Sequence, residues 1–133
     1  MSMIRIALVV AFGLLGSSMP LTAHHSFALD YDAEKPFTLK GTVTKVEWTN
    51  PHSRIYVDVT DEKGVVTNWN LELGGNRSSL TRAGWTSRTL KIGDQITVSG
   101  VLARTAVPRG QARSVITTDG RSLFAGDATS DYR

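Results

Sequence analysis

The three histidines of this 133-residue chain fall in two places, His24 and His25 side by side and His52 in an Asn50-Pro51-His52 step. A histidine that begins a polypeptide offers a metal its free amine and a ring nitrogen together. A third nitrogen from His52 then completes a T-shaped, nitrogen-rich set that suits Cu(II) by ligand type and geometry. With no cysteine in the sequence, thiolate sites and disulfides are excluded, and any metal must be held by nitrogen or oxygen. Glu47, Trp48, Asn50, Tyr56 and Asn68 form a second set, placed by the sequence to act around such an ion or to bind a small ligand. The same histidines also read as a solvated terminal pair and a turn cap, with no cofactor at all.

Little else supports chemistry. Ser26 adjoins His25, but neighbours in sequence make no nucleophile and base unless the fold orients them, and no Gly-x-Ser-x-Gly elbow occurs. Glu47 and Asp58 are a formal acid–base pair of unknown separation. The chain therefore reads as a non-enzyme. Its formal net charge of +3 is too small to argue for nucleic acid. Charge is unevenly distributed, with five basic and eight acidic side chains over 24–72 and nine basic and four acidic over 73–133. A basic strip of Arg104, Arg109 and Arg113 suits an acidic partner or anionic surface.

For a histidine to become a terminus the chain must be cut, and the sequence provides for this. Arg5 precedes an apolar run from Ile6 to Leu15, too short to span a bilayer, and Gly16 to Pro20 break it before Leu21-Thr22-Ala23. Residues 1–23 thus read as a signal peptide cut after Ala23, and the mature chain as periplasmic or secreted with no transmembrane segment. Residues 24–38 form a polar lead-in, 39–125 one β domain, and 126–133 a frayed tail.

Within that domain, Leu39 to Trp48 is a strand whose apolar parity changes after Val43, the mark of a β-bulge near Thr44 and Lys45. Ile55, Val57 and Val59 alternate along a second strand, and Trp69, Leu71 and Leu73 along a third, across an Asp61-Glu62-Lys63-Gly64 turn. This parity sends Arg54, Tyr56, Asp58, Asn68, Asn70 and Glu72 to the other face. Asn76 caps a short helix from Arg77 to Ala83, then Gln95 to Leu102 and Ala112 to Thr117 are strands, and Ser122-Leu123-Phe124 closes a last hairpin. Three strands, a helix and two strands is the order of a small five-stranded OB-like barrel, all-β with one short helix. A small β-sandwich is the alternative. Ile55, Val57, Val59, Trp69, Leu71, Leu73, Ile96 and Val98 are its expected core.

His24-His25-Ser26-Phe27, Gly41-Thr42-Val43, Val46-Glu47-Trp48-Thr49-Asn50-Pro51-His52 and Leu90-Lys91-Ile92-Gly93-Asp94 together resemble an uncharacterised family of small exported bacterial proteins, a domain of unknown function. The resemblance extends through Ala112-Arg113-Ser114-Val115 and Asp119 to Phe124, and implies a periplasmic barrel without implying an activity. The expectation is therefore a non-catalytic periplasmic protein that binds a metal such as copper through His24, His25 and His52. The alternative is an envelope protein-interaction or small-ligand-binding module with no metal.

Overall fold

The computed structural model describes residues 29–105 and 107–125, so the expected signal peptide 1–23, His24, His25 and residues 126–133 lie outside the described residues. Six strands and a helix follow in order: β1 Tyr31–Glu47, β2 Arg54–Thr60, β3 Val66–Leu73, α1 Arg77–Arg82, β4 Gln95–Ala103, β5 Arg109–Thr117 and β6 Ser122–Phe124. They form one sheet, ordered β3-β2-β1-β4-β5-β6. All neighbours are antiparallel, and an additional parallel pairing of β3 with β5 closes the first five strands into a barrel-like ring.

β1 makes this closure possible because it serves two neighbours. Its first part pairs with β4, from Tyr31 opposite Ala103 to Thr42 opposite Gln95, and its last part pairs with β2, up to Glu47 opposite Arg54. The register shifts between Val43 and Lys45, where the parity of the sequence required an inserted residue. Thr44 is that residue, and its hydroxyl donates to the Tyr56 carbonyl at 3.3 Å. The shift keeps Val43 in the core and still lets Val46 and Trp48 pack against it. Close strand approach is secured by glycine. A Cβ on Gly41 would run into the Asp58 carbonyl oxygen, and one on Gly100 into that of Gln111.

Val43, Ile55, Val57, Leu71, Leu73, Ile96, Val98, Ala112 and Val115 fill the ring, and Leu80 of α1 with Trp85 and Leu90 joins them. Asn76 caps α1 by accepting from the Ser79 amide at 2.9 Å, and the Trp85 indole donates to the Phe124 carbonyl at 2.8 Å, tying the helix segment to β6. Of the eight expected core residues, Val59 and Trp69 are only half-buried, because the β2–β3 hairpin runs past the ring and leaves Val65 and Val66 exposed. Trp69 is completed by Phe37, ring centres 6.0 Å apart.

Two strands begin earlier than their apolar patterns indicate. β1 starts at Tyr31 rather than Leu39, since a second register shift between Tyr31 and Pro36 takes up the polar Asp32 to Lys35 without ending the pairing. Asp32 steadies that stretch by accepting from the Glu34 amide at 3.1 Å and by lying 3.6 Å from Arg104. β5 starts at Arg109 rather than Ala112 because residues from Arg109 onward pair with β3. No helix among the described residues is long and apolar enough to cross a membrane.

Candidate functional site

The β1–β2 loop is short and held from inside. The Ser53 side chain, fully buried, donates to the Thr49 carbonyl at 3.0 Å and accepts from the Thr49 amide at 3.2 Å, while the Thr49 hydroxyl donates to the His52 carbonyl at 2.8 Å. The Leu73 amide donates to the Ser53 carbonyl at 2.9 Å, pinning the loop to the end of β3. His52 thereby stands over the residue before Leu73, and its Nδ1 lies 3.0 Å from Glu72 Oε1. Since a carboxylate only accepts, Nδ1 carries the proton when the ring is neutral, and Nε2 keeps a lone pair on a side chain that is 55% exposed.

Glu72 is the centre of the site. Strand parity puts it on the face away from the core, as the alternation of Leu71 and Leu73 requires, yet its side chain is only 8% exposed. Oε2 accepts from the Tyr31 hydroxyl at 2.6 Å and from Arg54 Nη2 at 3.1 Å. Arg54 is itself fixed by donating to Asn70 Oδ1 at 3.1 Å. Arg109 Nη2 stands farther off, at 3.9 Å, with its guanidinium 5.8 Å above the Tyr31 ring. Tyr31, Val101 and Ala103 make a small second apolar cluster, and Tyr31 hydrogen-bonds Glu72 from that cluster. Burial, with the hydrogen bond to the Glu72 carboxylate, pushes the Tyr31 phenol up to about 12.

That shift makes a prediction. Tyr31→Phe removes a hydrogen bond to a charged acceptor and should lower stability by roughly 1.5–3 kcal/mol at neutral pH. Below pH 10 folded and unfolded chains both keep the phenol proton, and the contribution is complete. Between pH 10 and about 12 only the folded chain keeps it, so stability falls as pH rises. Urea unfolding of both proteins across this range should show their difference shrinking. A constant difference would remove the phenol from the account.

The other residues singled out in the sequence divide into separate groups. Glu47 bonds Lys45 at 2.5 Å and accepts from the Tyr56 hydroxyl at 3.2 Å, and the Lys45 contact holds its carboxyl below the usual carboxylate range. Lys45 also lies 5.1 Å over the Tyr56 ring. Asn68 donates to Asp58 Oδ1 at 2.8 Å and to the Thr44 hydroxyl at 3.0 Å. Trp48 is half-buried against the core, with Arg77 5.9 Å from its ring. Asn50 accepts from the Arg77 amide at 3.2 Å and lines an open groove of about 400 Å³ with Arg77, Ser78 and Thr81.

Of the three histidines only His52 lies among the described residues; His24 and His25 are outside them. Among the described residues there is no group of three or more His, Cys, Asp or Glu able to hold a metal ion. An ion on His52 therefore needs further ligands from beyond them. Sequence reasoning passed over Tyr31 and gave Glu72 no role at the site. The available signal was a carboxylate between two inward leucines directly before Gly74-Gly75, in register with Arg54.

A family model described as a family of unknown function (DUF6152) matches residues 11–112. That span takes in the Glu-Trp-Thr-Asn-Pro-His run, Tyr31 and Glu72, and ends before the closing Asp119 to Phe124 hairpin. No curated protein matches the chain.

Proposed function

The chain belongs to this family of unknown function, and from that premise we propose that it is an exported, non-catalytic periplasmic protein whose histidines bind a metal ion such as Cu(II). The observation that carries the reading is the His52–Glu72 contact. A buried carboxylate on Nδ1 orients an imidazole and leaves Nε2 free to ligate, the outer support that metal-binding histidines commonly have. Tyr31 bonds the same carboxylate, so the start of β1 and His52 meet at one point. His24 precedes Tyr31 by seven residues, a tether of at most about 25 Å, enough to bring a new terminus back to His52.

Ligand chemistry narrows the ion. Arg54 and Arg109 offset the charge of Glu72, which disfavours a hard cation held by oxygen alone. Cu(II) gains instead from nitrogen donors, here the amine and ring of His24, Nε2 of His52, and His25 as an additional ligand.

Protein processed to begin at His24, confirmed by intact mass, should bind one Cu(II) in a calorimetric titration, with affinity falling at least tenfold in His52→Ala. An added N-terminal Met, which moves the free amine, should weaken binding similarly. No binding, or equal binding after His52→Ala, removes the site.

A further inference from the structure

On β5, Gly110 and Ala112 are buried in the ring, so Arg109 and Gln111 face away from the core. Opposite them β4 shifts register, with Ser99 facing Ser114 and Gly100 facing Ala112, which leaves Arg113 as the extra residue of a bulge. The extra residue lets Arg113 and Ser114 both stay half-buried before Val115 returns to the core, so Arg113 keeps the face of Arg109 and Gln111. Arg109 and Arg113 therefore bracket Gln111, their Cα atoms at most about 13 Å apart, within reach of two extended guanidinium groups.

Each arginine keeps one buried nitrogen without an acceptor, although Arg109 also lies against Glu72 and Tyr31. Arg109 Nε and Arg113 Nη2 are buried, and neither has a hydrogen-bond partner among the described residues. The nearest carboxylate is already used, because Glu72 accepts from Tyr31 and Arg54 and lies against His52 Nδ1, leaving Arg109 at 3.9 Å. No ion pair among the described residues involves Arg113. Buried guanidinium nitrogens in native proteins are nearly always satisfied, and here the missing complement is an acceptor for each arginine and, for Arg113, a negative charge as well. A water supplies only the first.

We propose that Arg109 and Arg113 hold an oxyanion, the carboxylate or phosphate group of a small ligand, over Gln111 on the outer face of β5. Guanidinium forks match both groups through paired N–H donors. The site uses different residues from the proposed copper ligands and stands without them.

The test is calorimetric titration of metal-free, processed protein at low ionic strength with inorganic phosphate and, separately, with succinate. Saturable binding is expected for at least one, weakened tenfold or more in Arg109→Gln and in Arg113→Gln. Arg121→Gln removes the same charge from a side chain already paired with Asp119 and should leave binding unchanged. Arg113→Lys keeps the charge but not the fork, and should weaken binding while the unfolding temperature stays near that of the parent. Cu(II) binding should be unaltered in Arg113→Gln, which separates this site from the copper reading. Failure of both anions to saturate, or an equal loss in Arg121→Gln, overturns the proposal. So does binding to phosphatidylglycerol vesicles without binding of the free anions, which would assign the arginines to a membrane surface.

Discussion

Circular dichroism of a Val57→Asp variant is expected to show no cooperative thermal transition, the signal being that of an unfolded chain from the lowest temperature. Val57 has no exposed surface, and on β2 it pairs with Val43 on one side and Trp69 on the other. It lies in the shared core with Ile55, Leu71, Ile96 and Val98. A carboxylate there finds no donor, whether it stays charged or takes up a proton. The penalty is several kcal/mol, against the roughly 5–15 kcal/mol that stabilise a domain of this size. Val57→Ala separates lost packing from buried charge. It removes two methyl groups and should cost roughly 2 kcal/mol, leaving a folded protein with a lower midpoint. A folded Val57→Asp protein would show that β2 does not line the core.

Alternation alone points Val57 inward, for a physical reason. Strands β2, β3 and β4 have one face in the ring, so residues two apart share an environment, and Ile55-Val57 and Ile96-Val98 carry the pattern without interruption. The parity change in β1 was legible for the same reason, since Val43 and Val46 can both reach the core only if one residue between them leaves the ladder. The start of β1 was not legible. Asp32, Glu34, Lys35 and Pro36 carry no apolar alternation, because that edge pairs with β4 through a register shift and is held by polar contacts. The parallel closure of β3 on β5 left no local mark either.

The site divides along the same line. His52 was identified by residue type and by a proline-fixed turn, both local properties. Alternation puts Glu72 on the outward face of β3, where the structure has it. What alternation does not encode is that the outward face is covered at this end, by Tyr31 from the start of β1, by Arg54 across the strand pair and by Arg109 from β5. Tyr31 and Glu72 are forty-one residues apart, and their contact exists only because the polar lead-in is a strand. The early start of β1, which carries no apolar alternation, therefore hid the centre of the site.

Glu72→Ala should be the most damaging change on that outer face, lowering stability by about 3–5 kcal/mol in urea unfolding at pH 7. The carboxylate is the shared acceptor of the Tyr31 hydroxyl and Arg54, with His52 Nδ1 at 3.0 Å and Arg109 beside it. Its loss leaves the half-buried Arg54 and Arg109 without their counter-charge, and breaking a buried pair from one side has a penalty of that order. Glu72→Gln keeps the shape and one acceptor oxygen, and should cost roughly 1–3 kcal/mol. The two variants also bear on the proposed metal site. In Glu72→Gln the fold survives while His52 loses its carboxylate partner, so Cu(II) affinity should fall about 10–100-fold, the usual consequence of removing such support. Adding Arg54→Met to Glu72→Ala removes one of the stranded charges and should recover part of the lost stability. If Glu72→Ala instead unfolds within 1 kcal/mol of the parent, the carboxylate is not the organising charge of this face, and the orientation of His52 must come from the Thr49–Ser53 turn alone.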